Sequence, residues 1–315
     1  MRFNIAKTFG IQCDPNLEVD GGDNPNHPAI PELDPDYIIR KEVLRDILYW
    51  HSMRRSGETD DFLYLSGHTA TGKTSIIRQI AARLKIPVFE INGHSRLEFP
   101  ELVGTVTLIE SNTIHVDGPL TSAYREGGWF LLNEQNLLDP GTSAGLNDIG
   151  KVLAIPATGE QLVPHPNFGV IFSGNAVQGG EHAALYAGTM RNNIALLGRC
   201  YMVEVGYPSP EDEVMILRKA VPSLTKEIAE LFVGIANDIR GMFAPEDPNQ
   251  APTSDVTCCT RTLLRWAHAA SFFKANPGAD PIHYAFDRAL GYRTDPVTRT
   301  AFHELIDRKI GTAKV

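Results

Sequence analysis

The sequence has few cysteines, no long apolar run and no excess of basic residues. Its four cysteines show no metal-ligand spacing, which argues against a zinc site or a disulfide framework. No stretch reaches the roughly 18 apolar residues that cross a bilayer, and the start lacks the apolar run of a secretory leader. We therefore expect a cytoplasmic protein without a membrane segment. The formal net charge of −9 argues against a generally basic surface, so nucleic acid is not indicated as a partner.

What the sequence does contain is a set of short apolar runs separated by segments that are mostly long enough for helices. Five such runs occupy 62–66, 87–91, 129–133, 168–173 and 200–205. Continuous apolar strands that alternate with helices are typical of a parallel sheet covered on both faces. The sequence therefore predicts an α/β fold with a five-stranded parallel sheet between helices.

Composition and periodicity divide the chain into three parts. Residues 1–36 include a stretch rich in Pro, Asp, Asn and Gly, which predicts an extended N-terminal arm. Residues 37–206 form the predicted α/β core, which opens with an amphipathic helix. Residues 207–315 predict a second, all-helical domain. Its expected helices cover roughly 210–220, 223–243, 260–274 and 281–290.

One motif indicates the ligand. The segment GHTATGKT, residues 67–74, follows the first predicted core strand and precedes an amphipathic helix. In that context the backbone N–H groups converge on phosphate oxygens, with Lys73 on the outer phosphates and the Thr74 hydroxyl on Mg²⁺. His68 and Thr69 act as spacers whose side chains need not touch the ligand. The expected nucleotide-binding residues of this segment are Gly67, His68, Thr69, Ala70, Thr71, Gly72, Lys73, Thr74 and Ser75.

The third apolar run ends in Asn133 and Glu134, where nucleotidases normally carry an Asp-Glu pair. The Asp usually stands near the water shell of Mg²⁺, and the Glu orients or activates the attacking water. Asn133 lacks the charge but keeps a carbonyl oxygen that can accept from metal-bound water. We expect weaker metal binding and slow but real hydrolysis, with Glu134 as the base. The alternative is a nucleotide that only holds the structure together.

Three further polar residues fit a nucleotide-hydrolysing site. Asn175 ends the fourth run, where its amide could polarise the water or touch the terminal phosphate; a simple turn residue is the alternative. Arg199 precedes the fifth run, at an edge from which an arginine can reach a neighbour's phosphate. Arg261 begins a helix of the second domain and could fold back onto the same nucleotide. Each arginine taken alone could equally be a solvated surface residue.

With these residues, the chain resembles the AAA+ ATPases of the MoxR-like group, among them the small ATPase subunits of cobalt-inserting chelatases. The resemblance covers roughly residues 37–290 and is most specific at 92–104, 116–134 and 164–199. It implies an AAA+ nucleotide-binding core followed by a small helical lid domain. It also implies ATP and Mg²⁺ as ligands and a hexameric ring with ATP at each subunit boundary.

The resemblance assigns roles to individual residues as well. Asn175 matches the first sensor, Arg199 the arginine finger and Arg261 the second sensor. Two positions depart from the pattern: Asn133 stands where the group usually has Asp, and Gly198 stands where Asp commonly precedes the finger. Similarity further implies a partner protein with a von Willebrand factor A-type domain, which ATP cycling remodels or activates.

Residues 103–120 predict two short strands joined by a polar tip, a hairpin inserted before the third core strand. In the resembling group an insert here faces the ring's pore or its partner. Leu108, Ile109 and Ile114 flank the tip, so we expect them to contact a partner protein. A hairpin packed on its own domain is the alternative.

Two other functions stay open. In one, Asn133 has all but removed hydrolysis and the nucleotide gates assembly of a scaffold. Replacement of Asn133 by Asp should then speed hydrolysis strongly without improving biological activity. In the other, the chain is a ring ATPase of a mobile-element or defence system that acts with a nuclease. Binding to single-stranded DNA that falls steeply with salt would support this second alternative.

Overall fold

The computed structural model describes residues 1–109, 112–175, 194–245, 252–274 and 280–313. They form two compact units, each with its own apolar core. The first unit comprises Met1–His68 and Gly72–Val205, and the second Thr69–Thr71 and Gly206–Val315. Within the described residues, none of the helices combines the length and the apolar character that a membrane span requires.

A five-stranded parallel sheet lies at the centre of the first unit, as the sequence predicts. The strands in chain order are β1 (Arg2–Asn4), β2 (Glu18–Asp20), β3 (Phe62–Ser66), β4 (Val88–Asn92), β5 (Gly104–Ile109), β6 (Asn112–Asp117), β7 (Trp129–Asn133), β8 (Leu153–Ile155), β9 (Glu160–Leu162), β10 (Gly169–Gly174) and β11 (Cys200–Glu204). The central sheet has the order β11-β3-β10-β7-β4, and every neighbouring pair in it is parallel. The remaining strands form the antiparallel pairs β1–β2, β5–β6 and β8–β9.

The helices of the first unit connect and cover these strands, whereas the second unit is helical. The helices in chain order are α1 (Ile5–Phe9), α2 (Lys41–Ser56), α3 (Lys73–Leu84), α4 (Phe99–Val103), α5 (Pro119–Glu126), α6 (Pro140–Gly145), α7 (Ile194–Leu197), α8 (Pro210–Ala220), α9 (Lys226–Phe243), α10 (Thr260–Phe273), α11 (Pro281–Ala289) and α12 (Pro296–Ala313). The α/β class and the helical C-terminal region are thus confirmed.

Burial on both faces explains why the central strands are continuous apolar runs. Successive residues of a strand point to opposite faces. In β3, Leu63 and Leu65 therefore join one apolar cluster, while Phe62 and Tyr64 join another. Every residue of β3, β7 and β10 is buried. This packing holds the carboxyl ends of these strands, where the polar residues lie, in a defined register.

Within its described residues, the second unit contains helix α12 in addition to the helices that its periodicity predicted. Helices α8 to α11 agree with the predicted segments within a few residues. Their core includes Trp266 stacked on Phe232, with ring centroids 4.1 Å apart. The additional helix α12 contributes only Phe302, Leu305 and Ile306 to the buried apolar cluster. With Ile310, which packs against the same cluster, these residues follow helical spacing, but the pattern covers only 302–310.

The N-terminal segment, expected as an extended arm, contains β1, α1 and β2 and forms part of the first unit. The amide of Gly22 donates to the Leu84 carbonyl over 3.0 Å, and the amide of Val88 donates to the Ala29 carbonyl over 2.9 Å. A Cβ at Gly22 would lie 1.9 Å from the Lys85 carbonyl oxygen, so glycine is required for this close approach. The composition indicated the turns but not where the segment packs.

Candidate active site

Polar residues meet at the carboxyl edge of the central sheet. Strand β10 lies between β3 and β7, so residues that follow these three strands are neighbours. In register, Gly174 pairs with Ser66, and Asn92 pairs with Asn133. The crevice at the carboxyl ends of parallel strands is the usual ligand position in open α/β sheets. Strand order therefore brings the start of the phosphate loop beside Asn175, Asn133 and Glu134.

The phosphate loop, residues 67–74, has the backbone conformation of an anion-binding turn. Gly72 has φ 89° and immediately precedes α3, whose N-terminus has no side-chain cap. Ala70 also has a positive φ, 58°. Uncapped N–H groups at a helix N-terminus favour bound anions. Thr71 is buried, whereas Ser75, in the first turn of α3, is exposed.

The Lys73 ammonium is held inside the loop. Its Nζ donates to the carbonyl oxygens of Gly67 and His68, both over 2.8 Å, and to Asn175 Oδ1 over 3.0 Å. Burial lowers the pKa of Lys73 to about 8; the Glu134 carboxylate opposes this, and Arg40 reinforces it. A phosphate placed here would stabilise the charged form of Lys73, because opposite charge raises the pKa of an amine.

Asn175 connects Lys73 to Glu134. Its Oδ1 accepts from Lys73, while its Nδ2 donates to Glu134 Oε2 over 2.5 Å. Glu134 has φ 52°, a left-handed conformation that is strained for a residue other than glycine. Burial raises the pKa of the Glu134 carboxyl, and the Lys73 ammonium opposes this effect. The amide thus orients a carboxylate that burial makes more basic, which suits a proton acceptor.

Asn133 is buried next to Thr74, so the two predicted metal-side residues are together. Asn133 Oδ1 accepts from Thr74 Oγ1 over 2.7 Å and from Ser173 Oγ over 3.1 Å. Asn133 Nδ2 donates to Glu90 Oε1 over 2.5 Å and to Asn92 Oδ1 over 3.3 Å. Hydroxyl and carbonyl oxygens are hard donors of the kind that Mg²⁺ prefers, so this donor set fits that ion.

Arg199, one of the two predicted arginines, does not lie at this edge of the sheet. Arg199 is exposed at the amino end of β11, and its backbone carbonyl accepts from Phe62 N at the start of β3. Because β3 is five residues long, about 16 Å separates this end of the sheet from the phosphate loop. The Arg199 guanidinium donates to the Asn147 carbonyl. Arg261 is exposed in the first turn of α10, in the second unit.

Sequence reasoning missed Glu90 and Arg78. Arg78 donates twice to the Glu90 carboxylate, from Nε to Oε2 and from Nη2 to Oε1, each over 2.8 Å. Through Asn133, this ion pair reaches Thr74. The signal in the sequence is an acidic residue inside an otherwise apolar strand run, since ionised side chains are rarely placed there without a partner.

Comparison with known proteins adds two family matches. Residues 63–191 match the family described as AAA domain (dynein-related subfamily), and residues 213–309 match the family described as CbbQ/NirQ/NorQ C-terminal. The chain is 26% identical to the aerobic cobaltochelatase subunit CobS of a Sinorhizobium species, over 98% of this chain and 90% of CobS.

Two further relatives are similar over shorter spans. Protein NorQ of Paracoccus denitrificans is 30% identical over 56% of this chain and 64% of NorQ. The gas vesicle ATPase GvpN2 of Halobacterium salinarum is 27% identical over 67% of this chain and 70% of GvpN2. The AAA match includes the phosphate loop and both Asn133 and Asn175. An AAA domain implies nucleotide binding.

Proposed function

Because this chain belongs to the MoxR-like group of AAA+ proteins, we propose that it binds ATP with Mg²⁺ at the phosphate loop and hydrolyses it. The observation that carries the proposal is the hydrogen-bonded line from Lys73 through Asn175 to Glu134. It joins a phosphate-binding cation, a polar sensor and a proton acceptor, which are the parts that phosphoryl transfer to water needs.

In this proposal Thr74 and Asn133 would hold Mg²⁺ together with the phosphates. The ion, when bound, supplies positive charge against the phosphate oxygens. Asn133 brings no charge of its own and would offer the ion a neutral carbonyl oxygen. Glu134 accepts the proton of the attacking water, and Asn175 keeps the carboxylate aimed. The Lys73 ammonium places a positive charge of the protein itself beside the outer phosphates.

We also propose that Arg199 acts on the nucleotide of a neighbouring copy. In its own chain Arg199 lies at the opposite end of the sheet from the phosphate loop, beyond the length of its side chain. An arginine that completes the site in trans therefore agrees with this placement better than one acting in cis. The proposal includes a hexameric ring, with Arg261 as the second sensor of the nucleotide state.

The hairpin of β5 and β6 supports contact with a partner protein. Val106 and Leu108 project to one face, whereas Ile114 and Val116 project to the other, because directly paired residues share a face. All four are exposed, Leu108 at 70%. A hairpin packed on its own domain would bury one apolar face. The tip residues Glu110 and Ser111, and the Ile109 side chain, lie outside the described part.

We therefore propose that ATP hydrolysis remodels or activates a partner, one carrying a von Willebrand factor A-type domain. A passive nucleotide-gated scaffold is less well supported, because the Glu134 carboxylate that Asn175 orients serves hydrolysis and is not needed for nucleotide binding. No specific observation favours a nuclease-associated ring.

The direct test is phosphate release by the purified chain with ATP and Mg²⁺. Lys73→Ala is expected to remove nucleotide binding and to lower hydrolysis by at least about a hundredfold. Glu134→Gln should retain binding while hydrolysis falls by a similar factor. A wild-type chain that binds no nucleotide at millimolar ATP would contradict the proposal.

A further inference from the structure

Asn133 stands between two neighbours with opposite hydrogen-bonding needs. On the α3 side, its carbonyl oxygen accepts from the hydroxyl of Thr74. On the β4 side, its amide nitrogen donates to the carboxylate of Glu90. An ionised carboxylate only accepts hydrogen bonds, so Glu90 requires the NH₂ end of the amide. The orientation of Asn133 is therefore determined, and its carbonyl oxygen is left facing Thr74.

Glu90 cannot easily turn away from Asn133. The guanidinium of Arg78 binds both carboxylate oxygens of Glu90 in a forked contact, which fixes the plane of the carboxylate. The Glu90 side chain is only 20% exposed. Arg78 and Thr74 are four residues apart on α3 and so lie on the same side of that helix. The contacts thus form a closed circuit from Thr74 through Asn133, Glu90 and Arg78 back to α3.

We propose that Glu90 is a positioning residue on the metal side of the nucleotide site and that it selects asparagine over aspartate at position 133. This inference rests on the proposed function and specifies how its metal side is built. An aspartate at 133 would bring two carboxylates within 2.5 Å of each other, since Asn133 Nδ2 and Glu90 Oε1 are that close. Two carboxylates at such a distance repel each other, and neither can donate the hydrogen bond that Asn133 Nδ2 now supplies.

The amide of Asn133 thus supplies the hydrogen-bond donor that Glu90 requires, and it is more than the replacement of a carboxylate by an uncharged group. Replacement of Asn133 by Asp should harm the site as long as Glu90 is present, although the interpretation of Asn133 as a lost aspartate predicts faster hydrolysis. Moving the negative charge from position 90 to position 133 should restore a pair of one carboxylate and one amide. In the combined Asn133→Asp and Glu90→Gln variant, the amide at position 90 can donate to the carboxylate at position 133. The pair would then keep its hydrogen bond with donor and acceptor exchanged.

The test is a double-mutant cycle of Asn133→Asp, Glu90→Gln and the combined variant. Two quantities besides turnover are measured: the thermal unfolding midpoint without nucleotide, and the affinity for a fluorescent ATP analogue as a function of Mg²⁺ concentration. Asn133→Asp alone is expected to lower the midpoint and to weaken Mg²⁺-dependent binding by about tenfold. Adding Glu90→Gln should return the affinity to within about threefold of wild type and raise turnover above that of Asn133→Asp.

A matched control uses a second forked ion pair away from the site. Glu160 receives two hydrogen bonds from Arg125 on the surface. Glu160→Gln removes a comparable carboxylate, so combining it with Asn133→Asp should rescue neither the midpoint nor the affinity. If Asn133→Asp failed to fold while the combined variant with Glu90→Gln folded, the coupling would be demonstrated by folding itself.

Additive effects of the two substitutions, or an Asn133→Asp variant that binds and hydrolyses better than wild type, would overturn the inference. Either result would leave nucleotide hydrolysis by this chain intact. By contrast, absence of nucleotide binding in wild type would refute the proposed function, while the midpoint cycle would still decide whether Glu90 and residue 133 are coupled.

Discussion

At the scale of single residues, the site depends on two charged side chains, Lys73 and Glu134, that burial partly shields from water. Lys73 is buried among oxygen acceptors, and its lowered pKa reflects the cost of removing the ammonium from water. Burial acts in the opposite direction on Glu134, where it raises the pKa of the carboxyl. Asn175, hydrogen bonded to both, separates the two charges. A bound anion should change this balance most strongly at Lys73.

The pKa of Lys73 predicts a pH dependence of nucleotide binding. With a pKa of about 8 in the free protein, Lys73 loses its proton above that pH, whereas phosphate oxygens favour the protonated form. Binding above pH 8 should therefore take up a proton, and affinity should fall by up to about tenfold per pH unit. Calorimetry at pH 9 in buffers of different ionisation enthalpy measures this uptake.

Lys73→Arg serves as the control for this prediction, because a guanidinium stays charged throughout the range. Its binding should show no proton uptake linked to position 73, whatever its affinity. An affinity of the wild-type chain that stays constant from pH 7 to pH 10 would show that Lys73 is not the group that titrates.

At the scale of elements, the N-terminus of α10 is held by a buried ion pair of the second unit. Glu213 is fully buried and binds Arg240 through two hydrogen bonds, from Nη1 over 2.6 Å and from Nη2 over 2.9 Å. Arg240 Nε donates to the Cys258 carbonyl, and Thr260 Oγ1 donates to Glu213. These contacts fix the turn that carries Arg261.

Removing one partner of this ion pair should destabilise the second unit strongly. Arg240→Met leaves the Glu213 carboxylate buried without its cation, a change that typically costs about 3–5 kcal/mol. Adding Glu213→Leu should recover a large part of that loss, because a well-packed apolar pair avoids the desolvation penalty. Hydrogen exchange of α9 and α10 amides in urea measures both variants. Equal losses in the single and double variants would contradict this account.

The β5–β6 hairpin is the second element with a testable role. Leu108→Asp changes an exposed side chain away from the phosphate loop, so basal hydrolysis should stay within about twofold of wild type. Stimulation of hydrolysis by the proposed partner, a protein with a von Willebrand factor A-type domain, should be lost. Val163→Asp is the matched control, since Val163 is also apolar and is 75% exposed but lies outside the β5–β6 hairpin. Loss of stimulation in both variants would contradict a specific role of the β5–β6 hairpin in contacting the partner.

At the scale of the whole molecule, the proposed site is complete only between two copies. Arg199→Ala should bind ATP but hydrolyse it at least about a thousandfold more slowly, as loss of an arginine finger typically does. Lys73→Ala should lack binding. Within a mixed ring, however, the intact phosphate loop of one variant can meet the intact Arg199 of the other.

An equal mixture of Arg199→Ala and Lys73→Ala chains should therefore regain up to about a quarter of wild-type hydrolysis. In a randomly mixed ring, about a quarter of the boundaries join the phosphate loop of an Arg199→Ala chain to Arg199 of a Lys73→Ala chain. Phosphate release is measured before and after mixing, with analytical ultracentrifugation to confirm co-assembly. Co-assembled but inactive mixtures would show that Arg199 does not act across the boundary.

Much of the fold could be predicted because its signals are local. Continuous apolar runs predicted all five strands of the central sheet, and the phosphate loop was recognisable from its own residues between a strand and a helix. Helix α12 was not predicted, because its apolar residues at helical spacing are confined to the short stretch 302–310. The packing of residues 1–36 was not predicted either, since it depends on Gly22 approaching the end of α3.

The sequence by itself determined the phosphate loop, the α/β class and the helical C-terminal region, because periodicity and loop chemistry are properties of consecutive residues. Only the tertiary structure decided how Asn133 is used. Strand order and register bring β4 beside β7, and with it Glu90, a residue 43 positions away. Whether an amide at 133 is a defect or a matched partner depends on that lateral contact, which no local pattern encodes.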